Sequence, residues 1–177
     1  LDIMNILVNG CSFTANSDQW PCYFSLPHTN ISKAGNSNES IFLTTVEELQ
    51  KNHYDCCVLM WSSVDRYLMS TVNHELKNIL PNSPISFASG DDYLNPGEVS
   101  GKLIDRALEK FKKDYYRYFY SEKIQQQKLQ IYKYVLSHSC KKVIHLSVTD
   151  VVGRQVLGHP TAKTSKRFAQ YIMETYF

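Results

Sequence analysis

Four short polar clusters hold the side chains of this 177-residue chain that could do chemistry. The first is Gly10-Cys11-Ser12, where the apolar run Ile6-Leu7-Val8 stops at Asn9. A serine at the mouth of a strand is a candidate nucleophile if a base can take its proton. It fits equally an ordinary tight turn in which the hydroxyl caps loop amides. The second cluster is Gly35-Asn36-Ser37-Asn38, whose asparagines read either as site residues or as turn and helix-cap residues. The third, Ser62-Ser63 with Asp65 and Arg66, follows the run Asp55 to Trp61. Arg66 either locks its loop through an ion pair with Asp65 or binds an anionic group, since a guanidinium matches carboxylate and phosphate. The last cluster is Asp150 with His159, an imidazole that is either a solvated loop residue or part of a site.

The elements that must position these clusters alternate between strand and helix. Ile3 to Val8 and Asp55 to Trp61 are short, continuous apolar runs and read as buried strands. Thr29 to Lys33 is a weaker strand, and Lys142 to Val148 a further one. Ser37 to Asn52 is helical, with Ile41, Val46 and Leu49 inward. From Asn78 to Gly101 the prolines and glycines predict a loop. Lys102 to Ser139 is helical, with Leu103, Ala107, Leu108, Phe111, Tyr115 and Phe119 on one face. Ser121 is placed to cap a second helix carrying Ile124, Tyr132, Val135 and Leu136. Thr161 to Tyr176 closes the chain, with Phe168, Ile172 and Met173 inward.

Strands separated by helices imply crossovers, hence an α/β, three-layer α/β/α domain with a mostly parallel sheet. The expected strand order is 2-1-3-4. Ligands of such sheets bind outside the carboxyl ends of the strands, and all four clusters fall on that edge. The chain reads as one domain, residues 1–177, with a loop-plus-helical insertion at about 67–139.

Composition narrows the function classes. The hydrophobic share of 43% and charged share of 20% are those of an ordinary globular protein. A net charge of +2 gives no case for nucleic acid or an anionic membrane as partner. Five cysteines without framework spacing suit a reducing compartment. No run is long enough to span a membrane and no signal-peptide hydrophobic region is seen, so a cytoplasmic location is expected. Cys56-Cys57 should point to opposite faces of a strand, and no His/Cys spacing signals a metal. No cofactor is called for. The aromatic stretch Tyr115 to Tyr120 reads as core plus a contact face. His145-Leu146-Ser147 and His159-Pro160-Thr161 both echo a two-histidine phosphoesterase pattern, but stand too close together to occupy opposite lobes.

Taken in order, "NGCSFT", "WP", "AGNSN", "WSSVDR" and "GHPTAKTSKRFAQYI" resemble the SGNH hydrolases, the GDSL-like esterases. The likeness is nearest to small SGNH-like proteins common in phage genomes and runs over most of the chain. It implies a flavodoxin-like sheet and hydrolysis of a carboxylic ester, an O-acetyl group on a carbohydrate included. It implies Ser12 as nucleophile and His159 as base. The N–H groups of Ser12 and Gly35 would be two of the three oxyanion donors. The family's third donor, an asparagine, is missing: Ser62-Ser63 stand at its place, leaving Asn38 or a hydroxyl such as that of Ser63 to substitute. Cys11, Asn36, Trp61, Ser62 and Arg66 would contact substrate.

The aspartate that usually precedes the family's histidine by two or three residues is replaced by Val156 and Leu157. Asp150 is the nearest upstream acid. Three functions from different classes are therefore open: a serine esterase, weak or degenerate; a silent domain binding a small anionic ligand or nucleotide; and a protein-interaction module using the tyrosine-rich helix.

Overall fold

In the computed structural model of the chain, the residues described are 4–15, 17–70, 76–79, 110, 113–148, 150 and 160–177. Four parallel strands form the main sheet in the order β2-β1-β3-β6. They are β1 (Ile6–Asn9), β2 (His28–Asn30), β3 (Cys56–Trp61) and β6 (Lys142–Ser147). This is the expected order 2-1-3-4 with the N-terminal strand inside. The register sets Ile6 against both His28 and Cys56, and Cys56 against Lys142.

The strand sequences explain why this sheet is buried on both faces. Every residue of β1 and β3 is buried, as an apolar run covered on both sides requires. Alternation then sorts the side chains. Ile6, Val8, Cys56, Val58, Met60, Ile144 and Leu146 meet Trp20, Phe24, Phe168 and Ile172 on one face. Leu7, Cys57, Leu59 and Trp61 meet Ile41 and Leu136 on the other. Cys56 and Cys57 thus do point oppositely, into the two cores. Burial pushes the Cys56 thiol up to about 11 and raises that of Cys57 as well, so both stay protonated.

The helices supply the outer layers. α2 (Asn38–Lys51) is N-capped by Ser37 and α3 (Glu122–Ser137) by Ser121; they cover the Leu7 face. Phe42 of α2 stacks on Tyr132 of α3, with ring centroids 4.5 Å apart. α4 (Ala162–Tyr176), capped by Thr161, covers the Ile6 face together with the 3-10 turn Trp20–Tyr23. Phe168, Ile172 and Met173 face inward as the spacing predicts. The four-residue helix α1 (Ser12–Ala15) follows β1 directly.

Three expectations need correction. β2 ends at Asn30 rather than Lys33, although Ile31 N–H to Val8 O (2.9 Å) and Lys33 N–H to Gly10 O (3.3 Å) keep the following chain beside β1. Residues 78–79, expected as loop, belong to β5 (Leu76–Ile79), which pairs antiparallel with β4 (Tyr67–Ser70). The stretch expected to be α-helical through Phe119 forms a π-helical turn, Tyr115–Phe119, that ends at extended Tyr120. Phe119 is largely exposed there, and Ile124 and Val135 on α3 are also outward, because Leu129, Tyr132 and Leu136 make the inner face. Residues 102–109, 111 and 112 of the expected helix lie outside the described residues. No helix among the described residues is long and apolar enough to cross a membrane.

Candidate active site

Because all four strands run parallel, Asn9, Asn30, Trp61 and Ser147 end at one edge, and the loops that follow share it. Three buried asparagines tie those loops together. Asn9, the last residue of β1, is fully buried and reaches into α2. Its Nδ2 donates to Ile41 O (3.1 Å) and to the hydroxyls of Thr44 and Thr45 (both 2.9 Å), while its Oδ1 accepts from Gly10 N–H at 2.8 Å. Both threonine hydroxyls spend their protons on helix carbonyls, Ser40 O and Ile41 O, which leaves their lone pairs for Asn9.

Asn36 fastens the second loop to the first. Its Nδ2 donates to Gly10 O (3.0 Å), the carbonyl that also takes Lys33 N–H. Its Oδ1 accepts from Ser40 Oγ at 3.1 Å. Asn38 fastens the third loop to the second: its Nδ2 donates to Ser62 O (3.0 Å) and its Oδ1 accepts from Ser62 N–H (2.7 Å). This two-bond clasp holds the β3 exit against the start of α2. The Asn38 amide, weighed as a substitute oxyanion donor, is engaged in positioning Ser62.

Two glycines make this packing possible. A Cβ on Gly10 would meet Thr14 Oγ1 at 2.5 Å and Met60 O at 3.1 Å, so only glycine lets the β1 exit pass between α1 and β3. Gly35 has φ 77°, the left-handed turn that swings residues 33–36 around the Gly10 carbonyl.

Against these well-bonded loops, a small set of donors is left over. Ser12 is half-buried at the start of α1. Among the described residues neither its hydroxyl nor its N–H has a hydrogen-bond partner, and the N–H of Gly35 has none either. Several nearby amides are bonded, Gly10 N–H to Asn9 Oδ1, Thr14 and Ala15 N–H to Cys11 O, and Asn36 N–H to Lys33 O, while those of Cys11 and Ala34 have no partner among the described residues. The hydroxyl of Ser62 is buried and also without a partner, as is that of Thr14 beside Gly10. Ser63 is exposed.

Two expected substrate contacts are core residues. Trp61 is 1% exposed and its Nε1–H donates to His145 Nδ1 at 3.2 Å, inside the layer under α2 and α3. Cys11 is fully buried, and its carbonyl starts the α1 turn. Both were candidates by standing at or just after a strand end; the pleat turns Trp61 inward, and Cys11, two residues past β1, is buried at the start of the α1 turn.

His145 is likewise no site histidine. Since Nδ1 accepts from Trp61, Nε2 carries the proton and donates to Ser137 Oγ (3.0 Å), which donates to Lys133 O (2.8 Å). Burial, helped by the Lys133 charge, lowers its pKa to about 4, so the ring is neutral.

The acids are placed as follows. Asp150 accepts from Ser147 N–H at 2.6 Å and closes the turn after β6. Asp65 takes the Tyr116 hydroxyl on its carbonyl, which brings the π-helical turn to the β3 exit. Arg66 reaches Asn36 O (3.4 Å) and makes no ion pair with Asp65. His159, the expected base, lies outside the described residues.

Asn9 and Thr14 are the residues that the sequence did not single out. Asn9 carried one signal: a buried strand that ends in an amide needs a partner for it.

No protein-family model matches the chain, and no curated protein matches it. Among solved structures the fold is similar to a protein from Desulfitobacterium hafniense DCB-2 assigned to the G-D-S-L family of lipolytic proteins. The identity is 8% and the TM-score 0.45, over 97% of this chain and 98% of that one. At that level the site rests on its own geometry.

Proposed function

We propose that the protein is a serine hydrolase of the SGNH type that cleaves carboxylic esters, O-acetyl groups included, with Ser12 as nucleophile. The observation that carries the reading is the pair of unpartnered amides. The N–H groups of Ser12 and Gly35 belong to two loops latched at the Gly10 carbonyl, and among the described residues neither has a hydrogen-bond partner. Fixed, unspent donors beside a hydroxyl are what a developing oxyanion requires.

In this mechanism Ser12 Oγ attacks the ester carbonyl as His159 takes its proton. The negative charge forming on the carbonyl oxygen faces the two amides. Collapse of the tetrahedral species expels the alcohol, which takes the proton from His159. Water then attacks the acyl-serine, with His159 as base again, and releases the acid and Ser12. For the third oxyanion donor the buried, unpartnered hydroxyl of Ser62 is a better candidate than exposed Ser63 or engaged Asn38. A hydroxyl is a weaker donor than the family's amide, and no acid stands at the family's place before His159. A slow enzyme is therefore expected; losing one oxyanion donor alone costs about a hundredfold to a thousandfold.

The test is hydrolysis of p-nitrophenyl acetate by the wild type beside Ser12→Ala and His159→Ala. Rates that collapse in both variants support the reading. Equal rates in all three would retire it in favour of a silent ligand-binding domain.

A further inference from the structure

We infer that Arg66 forms an anion subsite beside Ser12, so that the preferred substrate is an ester carrying a carboxylate or phosphate group near the scissile bond. The inference rests on the hydrolase reading for the word substrate, but not for the binding of the anion.

Arg66 stands in the loop after β3, half-buried rather than extended into solvent. A guanidinium has five N–H donors. One of them, on Nη1, makes a long contact of 3.4 Å with Asn36 O. Among the described residues no carboxylate pairs with it, not even that of adjacent Asp65. Its other four donors have no partner among the described residues, and the loop that carries them follows β3 at the carboxyl edge of the sheet. That contact also fixes where the charge is. Asn36 is the residue whose side chain holds Gly10 O, two positions before Ser12. The path from Arg66 to the nucleophile therefore runs through one buried, four-way-bonded asparagine. The hydroxyl of Ser62, on the same loop, is a buried polar atom without a partner among the described residues. A planar oxyanion suits this arrangement, because the fork of Arg66 can take two oxygens at once.

A neutral ester would leave the guanidinium facing water and gain nothing from it. An anionic one would be attracted and oriented by it.

The experiment compares the p-nitrophenyl monoester of succinic acid with p-nitrophenyl butyrate, in the wild type, Arg66→Gln and Arg66→Lys. The wild type should favour the anionic ester in kcat/KM by about tenfold or more, as expected for one charge-assisted pair. The ratio should fall to about one in Arg66→Gln and be intermediate in Arg66→Lys, which keeps a point charge without the fork. Because each ratio is taken within one variant, a general loss of activity cannot imitate the result. The same ratio in wild type and Arg66→Gln would overturn the inference.

If no ester is turned over through Ser12, the hydrolase reading fails and binding decides the subsite. Succinate and inorganic phosphate are then titrated into Ser12→Ala and into Ser12→Ala/Arg66→Gln, followed by backbone amide NMR. Binding lost on removal of Arg66 supports the subsite, and the tighter anion names its chemistry. Equal binding to both proteins, or none, overturns it.

Discussion

The two ends of the same sheet are built on opposite principles. At the amino end, polar groups close on one another. Asn5 N–H meets Asp55 Oδ2 (2.9 Å), Asn5 Nδ2 meets His53 O (2.7 Å), and Asp55 N–H returns to Asn5 O (2.9 Å). Glu48 accepts from both the Tyr54 hydroxyl (2.7 Å) and Asn52 Nδ2 (2.8 Å), which hold its carboxyl below the usual range. Cys140 Sγ donates to Tyr54 O. A cleft of about 330 Å³ opens here, lined by His53, Tyr54, His138 and Cys140 among others. Its walls are largely satisfied, so its size alone does not make it a site. At the carboxyl end three buried asparagines hold the loops, and among the described residues the N–H groups of Ser12 and Gly35 and the hydroxyls of Ser12 and Ser62 have no partner, while the Arg66 guanidinium has one long contact, to Asn36 O. Unspent hydrogen-bonding capacity in a rigid frame, rather than cavity volume, is what singles out the carboxyl end as the candidate site.

Breaking the frame at the carboxyl end should have the largest effect on stability. Asn9→Ala removes a fully buried side chain and leaves Gly10 N–H without its partner, at a cost of about 3 kcal/mol, the upper end for an unmet buried group. Chemical denaturation would measure it, and a cost under about 1 kcal/mol would show that Asn9 does not hold the loops. Gly10→Ala should cost about 2 kcal/mol, as overpacking against buried Thr14 and the Met60 carbonyl. Here the melting temperature reports the loss, and turnover should fall with it, because the Ser12 turn must shift.

His145 sharpens the comparison through pH. Its folded-state pKa of about 4 lies below the roughly 6.5 of an unfolded chain. Between those values the unfolded chain binds a proton that the folded one refuses. The stability from the neutral, wired ring is thus whole above about pH 6.5 and is lost as pH falls toward 4. His145→Gln should flatten the decline in melting temperature across that window. An unchanged slope would show that other groups cause it.

The smallest effect belongs to the amino end. Tyr54→Phe gives up one hydrogen bond to Glu48, for about 1 kcal/mol or less, and should leave ester turnover at the wild-type value. A large change in turnover would join the two ends functionally and break the contrast.

The sheet order was legible because Ile6-Leu7-Val8 and Cys56 to Trp61 are too apolar and too short for anything but central strands. The cap at Ser121 was legible, and the ranges 37–52 and 161–176 put the other two helix starts in the right place, but the cap of α2 is Ser37 rather than Asn36 or Asn38, and Thr161 caps α4. Asn9 was not, since its partners on α2 lie 32 to 36 residues away and no local pattern announces them. Trp61 and Cys11 were misjudged for a related reason: adjacency to a strand end does not say which way the pleat turns a side chain. The β4–β5 hairpin escaped because four-residue strands carry too little alternation to read. His159 and residues 151–159 lie outside the described residues, so the base is carried by the sequence resemblance.

Covalent labelling tests the central claim most directly. A fluorophosphonate reacts with a serine only where a base activates it and donors receive the phosphoryl oxygen, so it reads the nucleophile and the empty amides together. The wild type should be labelled at Ser12, as located by peptide mass spectrometry, and the label should vanish in Ser12→Ala and weaken sharply in His159→Ala. A properly folded wild type that takes no label, or takes it at a serine other than Ser12, would contradict the account.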